Sequence, residues 1–231
     1  MGAKKETTLI YGFVPVRKAS AAIPGKNTRD FLGKPLVLWV VDALSDSLVD
    51  EVIVATNDDA VEKLVRYHPK VTVYRRSEDS AQAGAKTEDV MMEWAGTREL
   101  ADSDIIVLSQ ATSPYTTWGD VNACIGGIQF GGKDSILSAC PVKRFFWSAA
   151  GTPMNYSLDD RPRRQDAPVY HMENGALYVT TIGRLLGSGL RISGRIGIHR
   201  MELGFELDEE ADWSIGEMLM ERKHIGSNVW A

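Results

Sequence analysis

Two cysteines in 231 residues, Cys124 and Cys140, are too few for a disulfide scaffold and are not spaced as a metal motif. They read as buried structural thiols. No apolar run approaches the ~18 residues of a membrane-spanning helix, and the N-terminal MGAKKETT leads into no secretory apolar region with a cleavage site. A cytoplasmic protein is the expectation. Excess positive charge is also missing: 31 Asp and Glu against 26 Lys and Arg leave a formal net charge of −5. That balance argues against nucleic acid or an anionic membrane as partner, so a polyanion held by this chain should be small and bound locally. Absent as well are GxxxxGK[ST], a GxGxxG after the first strand, internal repeats and low-complexity tracts.

What is present is enough apolar material, 44% of residues, for one sizeable core. A single domain over 1–231 with one embellishment is expected. TLIYGFVPV at 8–16, EVIVATN at 51–57 and DIIVLSQ at 104–110 read as strands rich in Val and Ile, and helical signals lie between them at 36–44 and 87–100. Strands alternating with helices imply crossover connections and an α/β fold with a mostly parallel sheet covered by helices. In the 87–100 segment Val90, Met91, Trp94 and Leu100 share a face, which makes the Met and Trp core material. DSILSAC at 134–140, GALYVTT at 175–181 and RIGIHRM at 195–201 supply further strands, and 212–225 a last helix. Between about 141 and 174 the pattern breaks into aromatics, prolines and clustered charge. This reads as an excursion, a small hairpin or arm, whose Phe145, Phe146 and Trp147 need either a core of their own or a second subunit.

A parallel sheet binds ligands beyond the C-terminal ends of its strands. The loop after the first strand combines small residues with Arg17, Lys18 and Lys26, a composition suited to phosphates and equally to a solvated basic loop. SQATSP at 109–114 offers the Gln110 amide and the hydroxyls of Thr112 and Ser113 beside a proline, in a stretch that also describes an ordinary polar turn. In FELDEEADW, Glu206 and Asp208 stand two apart, so an extended backbone puts both carboxylates on one face, as a hard divalent cation requires. A solvated charge run would have the same composition, and Glu209, Glu210 and Asp212 suit a helix start. A basic loop with an acid pair points to a nucleoside triphosphate, and to nucleotidyl transfer rather than hydrolysis. His171 is read as structural.

These same stretches resemble a known pattern. VPVRKASAAIPGKN (14–27), FLGKPLVLWVV (31–41), VIVATNDD (52–59), VYRRSEDSA (73–81), LSQATSPYTT (108–117), RRQDAPVYHMENGALYV (163–179) and FELDEEADW (205–213) together resemble the acylneuraminate cytidylyltransferase family, the CMP-sialic acid synthetases and related CMP-nonulosonate synthetases. The resemblance covers nearly the whole chain in order. It implies a Rossmann-like nucleotide-diphosphosugar transferase fold, a homodimer whose arm reaches into the partner's sugar pocket, and transfer of CMP from CTP to a nine-carbon 2-keto-3-deoxy sugar acid with Mg²⁺ or Mn²⁺. By matched position it implies Arg17 at the triphosphate, Lys26 at its phosphates, Asn27 at the nucleotide, Arg75 near cytosine, and Gln110, Lys143 and Asn174 on the acceptor side. Asp208 matches the stronger of two metal-binding aspartates.

Three departures stand out. The family's ARGGSKG is VRKASAA here at 16–22, with Ala21 in the place of the lysine and Lys18 able to replace its charge. Glu206 replaces the first metal aspartate, one methylene longer. The RP pair is Arg75 and Arg76. Alternatives that remain are an enzyme for the eight-carbon acid, one using GTP, and a non-catalytic nucleotide-binding protein.

Overall fold

A computed structural model describes residues 7–18 and 23–228. Its centre is the first strand, β1 (Ile10–Val16), which is flanked on both sides and covered on both faces. Alternation along it splits the core in two: Ile10, Val14 and Val16 face one cluster, Tyr11 and Phe13 the other. A tight turn follows later in the chain, where β2 (Asp30–Phe31) and β3 (Lys34–Pro35) pair antiparallel. Its two central residues, Leu32 and Gly33, both have positive φ, 53° and 83°, as a type I′ hairpin turn demands.

The remaining strands are β4 (Glu51–Thr56), β5 (Val71–Arg75), β6 (Ile105–Ser109), β7 (Ser135–Val142), β8 (Tyr170–Thr181) and β9 (Ile196–Arg200). Among the described residues they form with β1 a seven-stranded sheet in the order β5-β4-β1-β6-β8-β7-β9. Within it β1, β4, β5, β6, β7 and β9 run one way and β8 runs against them. The sheet is mostly parallel, as the alternation of strands and helices implies.

Helices α1 (Leu36–Ser45), α2 (Asp59–Val65), α3 (Glu78–Ala81), α4 (Thr87–Ala95), α5 (Trp118–Gln129), α6 (Ile182–Ser188) and α7 (Glu210–Asn228) complete the fold. Valines and leucines of α1, α2 and α5 fill one face's core, and Val90, Met91 and Trp94 of α4 with Ile182 and Leu185 of α6 fill the other. The helix expected over 87–100 stops at Ala95. Thr97 Oγ1 donates to the Trp94 carbonyl at 2.7 Å, and Gly96 offers no side chain to extend the buried face. No described helix is long and apolar enough to cross a membrane. Both cysteines are buried and unpaired, and burial pushes the Cys124 thiol up to about 12, which leaves it no reactive thiolate.

A third cluster joins the two ends of the chain. Phe31 and Leu36 pack with Tyr115, Leu207 and Trp213, with Phe31 edge-on to Trp213 at 5.6 Å and to Trp39 at 6.2 Å. Arg29 stacks over Trp213 at 4.2 Å and pairs with Glu210 at 2.6 Å. The start of α7 is thereby clamped onto the segment that follows the first loop.

The 141–174 excursion begins as a continuation of the sheet. β7 runs past Cys140 to Val142, and β8 starts at Tyr170, so that Ala139 through Val142 pair with Glu173 back to Tyr170. Beyond this ladder the chain is irregular, with one bridge between Trp147 and Pro153. Among its aromatics, Phe145 packs on Tyr156 at 4.9 Å, while Phe146 and Trp147 stay 39% and 50% exposed.

Trp94 is 1% exposed and meets the rings of Tyr11 at 5.3 Å and Phe13 at 5.5 Å. Trp94→Ala should therefore cost about 3–5 kcal/mol in urea unfolding, the range for emptying a large aromatic site in a packed core. A loss under ~1 kcal/mol would mean that α4 is not part of the cooperative core.

Candidate functional site

The C-terminal ends of β1, β5 and β6 open onto a cavity of about 440 Å³. Its wall includes Arg17, Lys26, Asn27, Arg76, Lys86, Gln110, Thr112 and Asp208. This is where a parallel sheet places its ligand, because the loops leaving the strand ends diverge there.

Lys26 organises the cavity floor. It sits in a single 3₁₀ turn, Lys26–Thr28, and is only 9% exposed. Its ammonium donates to the Leu207 carbonyl at 2.9 Å and to Asp208 Oδ1 at 3.1 Å. Leu207 is held in turn by its own N–H, which donates to the Thr112 carbonyl at 3.0 Å. The metal-pair segment is thus fastened to both the first loop and the loop after β6. Asp212 caps the following helix by accepting from the Asp208 and Glu209 N–H groups, which accounts for part of the charge run as a helix start.

Glu206 and Asp208 do converge. The Glu206 carboxyl is raised to about 7, first by burial and then by the neighbouring charge of Asp208, which is also close enough to share a hydrogen bond. The glycine of ENG explains how Glu206 gets there. Gly175 has φ +67°, and a Cβ on it would lie 2.1 Å from Glu206 Oε1. Any other residue at 175 would strain this positive φ and push that carboxylate aside. Among the described residues no group of three or more His, Cys, Asp or Glu encloses a metal ion. Two convergent carboxylates nevertheless fit a hard cation that completes its shell with ligand oxygens and water.

Of the residues singled out in the sequence, Arg17, Lys26, Asn27, Gln110 and Asp208 share the cavity. Others lie elsewhere. Arg75 pairs with Asp59 at 2.6 Å and Glu62 at 3.3 Å on α2 and is not part of the cavity wall. Alternation on β5 is the reason: Val71, Val73 and Arg75 share the face that α2 covers, and Arg76 leaves the strand end towards the cavity. Arg76 is 7% exposed, donates from Nη2 to the Ser80 carbonyl, and keeps its Nε unpartnered. Burial lowers its guanidinium pKa from the ordinary value.

Asn174, expected beside the acceptor, lies inside the fold. It is 3% exposed, with Oδ1 accepting from Ser138 at 2.6 Å and Nδ2 donating to the Leu203 carbonyl at 3.3 Å. It ties β8 to the segment that carries Glu206. Lys143 lies on the arm and donates to the Gln165 carbonyl at 2.9 Å, outside the cavity wall of this chain. The Lys18 side chain is likewise not part of that wall, and its N–H donates to Asn57 Oδ1 at 2.9 Å. Ala21, the altered position of the loop, is outside the described residues.

Arg76, noted in the sequence only as added positive charge near the base, and Thr112, noted for its hydroxyl in SQATSP, also line the cavity, and that hydroxyl is buried without a partner among the described residues. Lys86 is a cavity residue that carried no signal in the sequence. The second arginine of YRRS could have been found by counting strand parity.

The displaced titration of Glu206 has a measurable sign. A carboxyl whose folded value is about 7 against an ordinary 4.5 favours the folded state at low pH, and that contribution is lost as pH rises through about 7. In chelator-treated protein, Glu206→Gln should match the wild type near pH ~4 and be the more stable of the two above pH ~8, by thermal melting. A difference in Tm that does not change with pH would contradict the burial and charge assigned to Glu206.

Comparison with known proteins places this geometry in a family. A family model described as cytidylyltransferase matches residues 11–129, just over half of the chain. N-acylneuraminate cytidylyltransferase B of Danio rerio is 31% identical over 210 residues, covering 87% of this chain and 49% of that protein. The chain thus spans about half the length of that relative. CMP-N,N'-diacetyllegionaminic acid synthase of Legionella pneumophila is 25% identical over 224 residues, covering 92% of this chain and 96% of that one. A solved structure of CMP:2-keto-3-deoxy-manno-octonic acid synthetase complexed with CTP superposes with a TM-score of 0.66 at 19% identity, over 94% of this chain and all of that one, a likeness of fold. The chain belongs to the cytidylyltransferase family.

Proposed function

We propose that this protein transfers CMP from CTP to the 2-hydroxyl of a nonulosonic, nine-carbon 2-keto-3-deoxy sugar acid, releasing pyrophosphate. The observation that carries the reading is the cavity itself, where Arg17, Lys26, Arg76 and Lys86 meet the end of a converging carboxylate pair at the strand ends. Relatives named for N-acylneuraminate and N,N'-diacetyllegionaminate, both sugar acids, support the acceptor class.

In this reading the sugar's C2 oxygen bonds to the α-phosphorus while the bond to the bridging oxygen of pyrophosphate breaks, and the hydroxyl proton passes to solvent. Little covalent chemistry falls to the protein, so positioning and charge neutralisation dominate. Arg17 and Lys26 balance the triphosphate charge. Arg76 brings a buried N–H donor to the wall, and its placement supports it, rather than Arg75, as the arginine at the nucleotide. Gln110 presents an amide to the acceptor side. Glu206 and Asp208 would hold Mg²⁺ or Mn²⁺, which when bound supplies further neutralisation of phosphate charge.

The arm supports a homodimer. Phe146, Trp147, Met154 and Tyr170 are exposed on the 141–174 excursion and belong to none of this chain's hydrophobic clusters. A partner's cavity would bring Lys143 of such an arm to the acceptor, in keeping with its position outside the cavity of its own chain.

Purified protein with Mg²⁺ should release pyrophosphate from CTP when a nine-carbon 2-keto-3-deoxy acid is supplied, and much more slowly with GTP or the eight-carbon acid. Asp208→Ala should lower turnover at least about a hundredfold. CTP binding with unchanged, negligible turnover in both proteins across the acceptor panel would favour a nucleotide-binding module instead.

A further inference from the structure

The cations of the cavity are not equivalent. Lys26 is committed to the Leu207 carbonyl and Asp208. Arg17 Nη1 donates to the Gln82 and Ala83 carbonyls at 3.2 and 3.3 Å, and Arg76 donates to the Ser80 carbonyl. Lys86 lines the same wall, yet its ammonium has no ion pair or hydrogen-bond acceptor among the described residues.

The carboxylates that could have neutralised Lys86 are already engaged. Asp89 accepts from the Lys86 backbone N–H at 2.7 Å, closing the first turn of α4. Glu88 accepts from Nε and Nη2 of Arg191 at 2.6 and 2.9 Å. Glu93 accepts from Tyr74 and Ser77. Asp208, the one carboxylate among the cavity-lining residues, is taken by Lys26.

The segment carrying Lys86 is fixed at both ends. Arg17 pins Gln82 and Ala83 upstream, and Asp89 fixes the backbone of Lys86 downstream. Ala83, Gly84 and Ala85 between them add almost no side-chain bulk, so the flexible lysine stem is free to cross the wall towards whatever fills the cavity. Because Arg17 holds this segment directly, Lys86 stands on the same side of the cavity as the arginine at the mouth of the first loop.

We propose that Lys86 is a ligand-binding residue that pairs with the terminal phosphates of the bound nucleoside triphosphate, and so sets the site's preference for triphosphate over monophosphate. This rests on the nucleotide reading above. A lysine suits the role, since a compact, mobile ammonium follows a flexible polyphosphate as a point charge.

Calorimetric titration of the full chain with CTP and with CMP, for the wild type, Lys86→Met and Lys86→Arg, tests the assignment. Lys86→Met should weaken CTP by about tenfold and CMP by less than about twofold, with an unchanged Tm, and Lys86→Arg should recover most of the CTP affinity. An unchanged CTP affinity in Lys86→Met, or equal losses for CTP and CMP, overturns the phosphate contact while leaving the nucleotide reading in place. A wild-type protein that binds neither nucleotide overturns both.

Discussion

One buried amine holds this site together. Lys26 reaches across 181 residues of sequence to the carbonyl of Leu207 and on to the Asp208 carboxylate. Burying an ammonium is tolerated only with such partners, because desolvation would otherwise outweigh any packing gain. The aromatic cluster of Phe31, Trp39 and Trp213 and the Arg29–Glu210 pair supply the independent packing that brings the two segments together. The Lys26 contacts then select one register of that packing. The cation-bearing loop and the carboxylate pair are therefore set by a single junction of the chain's two ends.

A second constraint acts from the sheet side. Asn174 and Gly175, side by side on β8, do different work: the amide braces the 201–203 segment, and the absent Cβ clears a berth for Glu206. Substituting glutamate for a shorter acid lengthens the reach of that carboxylate. Its berth beside Gly175 shows how the longer side chain is accommodated while still meeting Asp208.

Most of the frame was legible because the central strands are buried on both faces and must be continuous apolar runs, as in β1, β4 and β6. Helix α5 gave no such signal. Gly126 and Gly127 interrupt its apolar pattern, and the second is required where Ile136 of β7 packs so close that a Cβ would fall 2.2 Å from its Cδ1. The β2–β3 hairpin was hidden because Leu32 takes a positive φ that a branched aliphatic side chain seldom adopts. At the site, residue type and block order singled out Lys26 and Asp208, which the structure brings together at the cavity. Residues whose orientation depends on strand parity or on third partners, Arg75 against Arg76 and the enclosed Asn174, were not readable from spacing.

The charge distribution gives the fold its functional direction. The chain as a whole carries −5, yet the cavity gathers four cationic side chains around one lining carboxylate. Beside it, burial first and the charge of Asp208 second raise the Glu206 carboxyl to about 7. Like charges gathered at one site disfavour one another, and opposite charge brought to them lowers that cost. A ligand carrying a polyphosphate and a hard cation would relieve both together, in keeping with the proposed function, while the net charge of −5 disfavours larger polyanions. A local group of fixed cations is thus compatible with holding a small polyanion in a protein whose net charge is negative.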